Sequence, residues 1–177
     1  MVDQEGGSTA LTESMSSGKN SSQFVGFRLA DQEYAFQIEK IQEIVILDSV
    51  TRAPQVADYV EGVSNLRGTI IPIINLRKLF GIEPKSVDEE TRTIVVNVGE
   101  RIMGCTVDSV TQVMRIPANS IQPAPELVTG EGNAYIAGFA KLDERLLVLL
   151  DIDELLEPDK LDEVNQAALR AGHLPED

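Results

Sequence analysis

The stretch YVEGVSNLRGTIIPIINLRKLF, residues 59–80, decides the fold, because its apolar pattern returns later in the same chain. Residues 135–156, YIAGFAKLDERLLVLLDIDELL, align with it without a gap, and every large apolar position of the first copy is apolar in the second. Each copy runs from an apolar strand through a turn to an apolar return strand and a short amphipathic stretch. This order predicts a β-hairpin followed by a helical turn, used twice in one chain.

A second alignment extends the repeat toward the N-terminus, where residues 25–44 align with residues 94–113 and apolar positions again coincide. Two units, at about 23–81 and about 92–157, therefore share one plan of roughly five short strands and a helical turn. A unit of about 60 residues has only a small core, so each unit alone would be marginally stable. We therefore predict a mainly β fold in which two small barrels pack together, and leave open whether strands are exchanged between them.

The two ends of the chain differ from this repeated region. Residues 1–22 are rich in Ser, Gly and Thr, which predicts a disordered N-terminal tail. Residues 158–177 carry apolar residues at helical spacing, including Leu161 and Val164, and we expect a C-terminal helix followed by a short tail.

The chain is strongly acidic, with a formal net charge of −14 over its 177 residues. Nucleic-acid binding and adsorption to anionic membranes both depend on clustered Lys and Arg, so this charge argues against both. The longest apolar runs, such as LLVLL at 146–150, are far shorter than the roughly 20 residues of a membrane span. The first residues lack the apolar core of a secretory signal, and a single cysteine fits a reducing compartment. We expect a cytoplasmic protein with protein partners, no nucleic-acid partner and no direct membrane insertion.

Groups for catalysis are scarce in the predicted folded region. The only histidine, His173, lies in the polar C-terminal tail, and Cys105 sits in an apolar strand with no histidine to activate it. The acidic runs at 88–90 and 151–154 are better explained as solvated charge and as acids at a helix start. We predict no catalytic residue, no metal site and no cofactor. A competing hypothesis, an enzyme that uses Asp151 or Asp153, requires a cleft that the sequence does not indicate.

The turn of the first hairpin raises a separate question. Asn65, Arg67 and Gly68 align with Lys141, Asp143 and Glu144, so the shared plan tolerates an acid where Arg67 stands. In one interpretation Arg67 pairs with a local acid such as Glu43 or Glu61. In the other it faces a groove and binds a partner, a role that the planar guanidinium suits. The two interpretations are compatible, since an acid can orient the arginine for its partner.

Pro72 interrupts the return strand of the same hairpin and has no backbone N–H to donate. A central strand would lose a ladder hydrogen bond there, so we expect an edge strand or a bulge.

Three segments together resemble the CheW family of bacterial chemotaxis coupling proteins. They are YVEGVSNLRGTIIPIINLRKLFG at 59–81, IEKIQEI at 38–44 and VGERIMGCTVDSVTQVMRI at 98–116. The resemblance covers about 23–157, and its most specific element is the N-L-R-G-x-I-x-P core. It implies two SH3-like five-stranded β-barrels packed together, with short helices.

The resemblance also implies a function. Members of the family are non-enzymatic scaffolds that couple transmembrane chemoreceptors to the histidine kinase CheA, whose regulatory domain is related to them. The receptor's cytoplasmic tip would dock in a groove between the barrels, and the chain would be recruited from the cytoplasm to membrane receptor arrays. The alternative is an adaptor of a non-chemotaxis receptor–kinase pathway such as surface motility.

Candidate partner-binding residues follow from matching the family's motif to this chain. The firmer candidates lie on the strand around IQEI and on the NLRG hairpin, and looser ones lie on the second unit. The firmer set is Ile41, Glu43, Gly62, Asn65, Arg67 and Gly68, and the looser set is Val96, Val98 and Val110.

Overall fold

A computed structural model gives the fold of most of the chain. It describes residues 21–52, 56–125, 135–156, 162–164 and 166. Residues 1–20 of the segment for which disorder is predicted, together with His173, lie outside the described residues. The last two residues of that segment, Ser21 and Ser22, begin a strand, so the prediction is wrong for them. The part of the chain that is described is mainly β and forms two sheets of five and six strands.

The five-stranded sheet forms the first barrel, in the strand order β3-β6-β7-β5-β4. Its strands are β3 (Ile41–Val45), β4 (Val60–Leu66), β5 (Thr69–Asn75), β6 (Arg92–Val98) and β7 (Arg101–Val107).

The six-stranded sheet forms the second barrel, in the order β8-β1-β2-β11-β10-β9. Its strands are β1 (Ser21–Leu29), β2 (Gln32–Gln37), β8 (Ser109–Pro117), β9 (Ile121–Pro123), β10 (Ile136–Leu142) and β11 (Arg145–Leu150).

Helical structure is confined to short turns in the described core. The α-helix α1 (Leu76–Leu79) follows β5, and its N-cap Asn75 accepts a hydrogen bond from the backbone N–H of Lys78. Single turns of 3-10 helix occupy Ile38–Lys40, Ala118–Ser120 and Ile152–Glu154. The helical turn predicted after the first hairpin is thus α1, and its counterpart after the second hairpin is a 3-10 turn.

Strands are exchanged between the two sequence units. β1 and β2 come from the first unit but pair with β8 and β11 of the second, whereas β6 and β7 come from the second unit but pair with β3 and β5 of the first. The first barrel is therefore one continuous segment from β3 to β7, and the second barrel is assembled from the chain on either side of it.

The chain that follows β3 closes the first barrel. β3 and β4 stand at opposite ends of the strand order. Thr51 and Val63 exchange two backbone hydrogen bonds, of 2.8 and 2.7 Å between nitrogen and oxygen, and the Ser64 hydroxyl donates to the carbonyl of Ser49 at 3.1 Å. These contacts join the two ends of the sheet and leave less strand edge exposed.

Side chains that alternate along the strands divide the core into three clusters, one inside each barrel and a larger one. We call the larger one, which includes Phe27, Ile94 and Val148, the main cluster. Along β11, Leu147 and Leu149 point into the second barrel, whereas Val148 and Leu150 belong to the main cluster. In the first barrel Val95 is part of the interior cluster and its neighbours on β6 belong to the main cluster. Because the main cluster collects residues from both sheets, it is the interface that holds the barrels together.

Pro72 corrects one prediction. β5 lies between β7 and β4, so it is not an edge strand, and the bulge of this hairpin lies on β4 between Val60 and Gly62, not at Pro72. The missing donor is tolerated for another reason: parallel pairing of β5 with β7 begins only at Ile73, one residue later. Pro72 faces Val63 of β4 on its other side.

The described part of the C-terminal segment is helical and packs on the main cluster. Residues 162–164 and 166 are helical, and Val164 is 4% exposed among main-cluster residues. Asp162 forms an ion pair with Arg101 of β7. The remainder of the predicted C-terminal helix, including Leu161, lies outside the described residues. Across the described ranges we find no helix with the length and apolar character that a membrane span requires.

Candidate functional site

Arg67 and Gly68 form the two-residue turn between β4 and β5. Their φ angles are 52° and 90°, and two consecutive positive values are typical of the type I′ turn of tight hairpins. Asn65 stabilises the turn, because its side-chain oxygen accepts a hydrogen bond of 2.8 Å from the backbone N–H of Gly68. Asparagine and glycine suit such a turn, but a long cationic side chain at a positive φ is uncommon. The turn alone therefore does not explain why this position is an arginine.

The guanidinium of Arg67 donates a hydrogen bond to the carboxylate of Glu43 and forms an ion pair with it. The pair links the β4–β5 turn to β3. The hydrogen bond from Arg67 lowers the pKa of Glu43, and the same bond raises the pKa of Arg67. Of the two acids considered for this pairing, Glu43 is the partner, whereas Glu61 accepts a hydrogen bond of 2.8 Å from the Thr106 hydroxyl.

Most of the Arg67 side chain remains available to a partner. It is 72% exposed, whereas the Glu43 side chain is only 19% exposed. A guanidinium carries five N–H donors, and Glu43 accepts a hydrogen bond from one terminal nitrogen, which leaves most of the group accessible. The arrangement is that of an oriented cation that can bind a carboxylate or a carbonyl of another protein.

Apolar side chains on the strands of the ion pair are also exposed. Ile44 follows Glu43 on β3 and is 38% exposed, and Ile70, which pairs with Asn65, is 36% exposed. We call Glu43 and Arg67 the Arg67 surface. Ile44 points to the opposite face of β3 from Glu43, because successive side chains of a strand alternate and the two pair with Ile94 and Val95 of different core clusters. An exposed arginine is a residue type that is enriched at protein interfaces.

Val113 is an exposed apolar residue that was not among the sequence-based candidates. It lies on β8, is 57% exposed and aligns with Ile44 in the second internal alignment. The repeat therefore contained a usable signal, because β3 and β8 carry exposed apolar residues at equivalent positions.

Burial separates the other candidates. Val96 and Val98 are 0% and 6% exposed in the main cluster, so their side chains are not accessible to a partner. We therefore exclude these two residues from the proposed contact surface. Ile41 and Val110 are half-buried and pack against the same cluster, which leaves each a limited accessible area.

Gly62 has a structural explanation. Its φ is 148°, and a Cβ atom there would lie 2.0 Å from the carbonyl oxygen of Thr51. Only a glycine permits the backbone contact that closes the first barrel. Gly68 differs, because a Cβ atom there would meet nothing within 4 Å.

Burial and local hydrogen bonds account for the groups that were considered for catalysis. Cys105 is fully buried, and burial raises the pKa of its thiol to about 12. Asp151 accepts a hydrogen bond of 2.9 Å from the backbone N–H of Asp153, whose own carboxylate pairs with Lys40 at 2.7 Å. Among the described residues we find no group of His, Cys, Asp and Glu that could hold a metal ion.

A second ion pair, missed from the sequence, joins the two barrels. Arg77 of α1 donates to both oxygens of Asp108, with distances of 2.8 Å from Nε and 2.6 Å from a terminal nitrogen. Asp108 connects β7 of the first barrel to β8 of the second and also accepts from the Ala30 N–H. Burial opposes ionisation of Asp108, but the hydrogen bonds from Arg77 and Ala30 outweigh it and lower its pKa.

Comparison with known proteins decides the family. The model of the CheW-like domain matches residues 23–160. This chain belongs to the CheW family. Its similarity to "Chemotaxis protein CheW" of Klebsiella aerogenes is 42% identity over 82% of this chain and 88% of that protein. Its similarity to "Chemotaxis protein CheW" of Helicobacter pylori is 39% identity over 77% of this chain and 82% of that protein.

A CheW structure shows the same fold. The crystal structure of the scaffolding protein TtCheW from Thermoanaerobacter tengcongensis matches with a TM-score of 0.73 and 34% identity, over 78% of this chain and 94% of that one. The predicted mainly β fold of two packed barrels and the predicted membership of the CheW family are both confirmed. The chain is accordingly a scaffold protein of the chemotaxis system.

Proposed function

We propose that this CheW-family member is a non-enzymatic adaptor that couples the cytoplasmic tips of transmembrane chemoreceptors to the regulatory domain of the histidine kinase CheA. The observation that carries the proposal is the Arg67 surface, where Glu43 orients an arginine whose side chain is mostly exposed. Asn65 and Gly68 contribute by fixing the turn from which Arg67 projects. The surroundings of Cys105 and of the carboxylate runs offer no support for the competing enzyme hypothesis.

Coupling by such a protein needs no chemistry. A scaffold that binds one conformation of the receptor or kinase more tightly than another shifts the balance between them, and a coupling free energy of about 1–3 kcal/mol is typical. A helical receptor tip would bind through apolar anchors in a groove, with a polar group that fixes its orientation. Ile41 and Val110, half-buried beside the exposed Ile44 and Val113, are suitable anchors.

The proposed location follows from these partners. The chain would act in the cytoplasm and be recruited to membrane receptor arrays by protein contacts. The net charge of −14 supports recruitment by proteins over direct adsorption to anionic lipid. The chemotaxis names of the relatives favour this pathway over the surface-motility alternative.

Co-sedimentation with receptor-bearing membranes and CheA, together with kinase assays, tests the proposal. We expect Arg67→Ala and Arg67→Glu to remain folded and to weaken recruitment or kinase control by about tenfold or more. Asp143→Ala is the matched control, because Asp143 occupies the equivalent turn position of the second barrel with a φ of 54°. If a folded Arg67→Glu variant supports normal recruitment and kinase control, the proposed role of the Arg67 surface is wrong.

A further inference from the structure

The strand β8 has a β-bulge between Val110, a proposed receptor anchor, and the exposed Val113. Val110 pairs with Phe27 of β1, and Val113, three residues later, pairs with Val25, which is only two residues away from Phe27. Residues three apart on a regular strand lie on opposite faces, because successive side chains alternate. The extra residue of the bulge cancels this difference. Val110 and Val113 therefore lie on one face of β8, the face on which Val110 packs against the main cluster.

The first barrel has the same bulge on β3, where pairing with β6 shifts between Ile41 and Glu43. Glu43 lies in the bulge and accepts a hydrogen bond from Arg67, in the hairpin turn of the same barrel. A glutamate–arginine pair thus ties this bulge to the end of its own hairpin. The second barrel cannot form the same pair, because Gln112 and Asp143 stand at the positions that align with Glu43 and Arg67.

Glu33 of β2 holds the bulge of β8 instead. The hydroxyl of Thr111, within the bulge, donates a hydrogen bond of 2.5 Å to one carboxylate oxygen of Glu33. Arg145, the first residue of β11 after the hairpin turn, pairs with the other oxygen at 3.0 Å. Glu33 is only 5% exposed, and a buried carboxylate is stable only with such partners. A glutamate–arginine pair again ties the bulge to the hairpin of its own barrel, although its residues come from other positions.

Gly26 makes room for this connection. β1 lies between β8 and β2, so the hydrogen bond from Thr111 to Glu33 has to cross it. A Cβ atom at Gly26 would lie 2.6 Å from the Thr111 hydroxyl oxygen and 2.8 Å from the Glu33 carboxylate. The first barrel has Val95 in place of Gly26 and Ile102 in place of Glu33, and both belong to its apolar interior. The shared barrel plan therefore does not require the buried carboxylate.

We propose that Glu33 and Arg145 are positioning residues that act through Thr111 on the receptor-binding face of β8. A bulge leaves one residue outside the regular ladder, so side-chain contacts fix where it lies. The Glu33 carboxylate fixes this bulge, and the bulge places Val110 and Val113 on the same face. Neither Glu33 nor Arg145 has to touch the receptor to have this effect. The inference rests on the proposed adaptor function, because it requires that a helical receptor tip binds between the barrels.

Thr111 gives the sharpest test, because it is exposed and its replacement leaves the pair of Glu33 and Arg145 in place. Thr111→Val keeps the branched shape but removes the hydroxyl, whereas Thr111→Ser, the matched control, keeps the hydroxyl. Val113→Asp places a charge directly on the proposed receptor-binding face. Urea unfolding establishes that each variant of the whole chain is folded. Co-sedimentation then measures the affinity of each variant for receptor-bearing membranes.

We expect Thr111→Val to bind these membranes about tenfold more weakly than wild type, and Thr111→Ser to bind as wild type does. Adding Glu33→Gln to Thr111→Val should weaken binding no further, because the two residues act as one unit. If Thr111→Val binds as tightly as wild type, or Thr111→Ser as weakly as Thr111→Val, the positioning inference is wrong and the adaptor function stands. If wild type does not bind, or Val113→Asp binds equally well, the proposed receptor site is wrong and the inference falls with it.

Discussion

Arg67 and Asp143 occupy the same position in the hairpin turns of the two barrels, with φ angles of 52° and 54°. Asp adopts this left-handed conformation more readily than Arg. The first barrel therefore keeps a less suitable residue at a turn where the second has a more suitable one. The ion pair with Glu43 gives that choice a reason, because only the arginine reaches across to β3.

Replacing Arg67 by asparagine should separate folding from binding. In Arg67→Asn an asparagine would precede Gly68, and Asn-Gly is the residue pair that type I′ turns favour most. The variant should therefore unfold at the same urea concentration as wild type or at a higher one. It lacks the guanidinium, however, and should lose recruitment by receptor and kinase. A variant that is destabilised yet fully active in recruitment would contradict both halves of this prediction.

Gly62→Ala should destabilise the protein strongly, by about 2–4 kcal/mol, because steric overlap and strain at positive φ act together. The added Cβ would press on the carbonyl of Thr51 and open the closure of the first barrel. Gly68→Ala is the control: it also has a positive φ but open space around it, and should cost about 1 kcal/mol. Urea unfolding followed by circular dichroism measures both. Equal effects would show that closeness to Thr51 is unimportant.

Arg77→Met should destabilise the protein by about 2–3 kcal/mol at pH 7, because it leaves the Asp108 carboxylate largely buried without its partner. Lys40→Met removes the more exposed pair with Asp153 and should change stability by less than about 1 kcal/mol. The two variants are matched, since Arg77 and Asp153 align in the repeat and each pair holds one crossing of the chain between barrels. Chemical unfolding measures the free energy of unfolding of both variants. If the two variants lose a similar amount, burial does not make the pair of Arg77 and Asp108 more important for stability.

Acid should weaken the contact between Arg77 and Asp108. The pKa of Asp108 is lower in the folded protein than its ordinary value of 3.8. A lowered pKa contributes stability above the unfolded value, and that contribution disappears as the pH falls through the folded value. Wild type should therefore lose stability below about pH 4 more steeply than Asp108→Asn does. Unfolding free energies measured between pH 7 and pH 3 test this, and parallel curves would contradict it.

The reactivity of the Cys105 thiol should show whether the two barrels separate. Its side chain is buried in the main cluster, and burial raises the pKa of the thiol to about 12. The reactive thiolate is therefore nearly absent and inaccessible at pH 8. We expect no reaction with a thiol-specific chromogenic reagent in the native protein and complete reaction in denaturant. Rapid labelling under native conditions would show that the interface between the barrels opens readily.

The apolar repeat predicted the double barrel because the positions that stay apolar in both copies are packing positions. Val96 and Val98 are looser candidates by the family resemblance, and the alternation of apolar residues along their strand does not show that they are buried in the interface between the barrels. Period-two alternation indicates which residues are buried but not which strand they pack against. The same limit hid the exchange of strands. The choice between Glu43 and Glu61 as partner of Arg67 also depended on how the barrel closes, which no local pattern encodes.

The ion pair of Arg77 and Asp108 could not be predicted from the sequence for a related reason. The two residues stand far apart in sequence, and neither belongs to a recognisable motif. They meet only because α1 and the crossing after β7 come together at the junction of the barrels. Charge pairs of this kind follow from topology and not from local sequence.

The nested arrangement of the barrels has a consequence for synthesis on the ribosome. All strands of the first barrel, β3 to β7, emerge one after another and can assemble as soon as β7 is released. β1 and β2 are translated before them but must wait for β8 and β11, their partners in the second barrel. The inner barrel can thus form first and hold the two ends of the outer barrel close together. A nascent chain stalled after β7 would present a finished inner barrel with an unpartnered β1–β2 hairpin beside it.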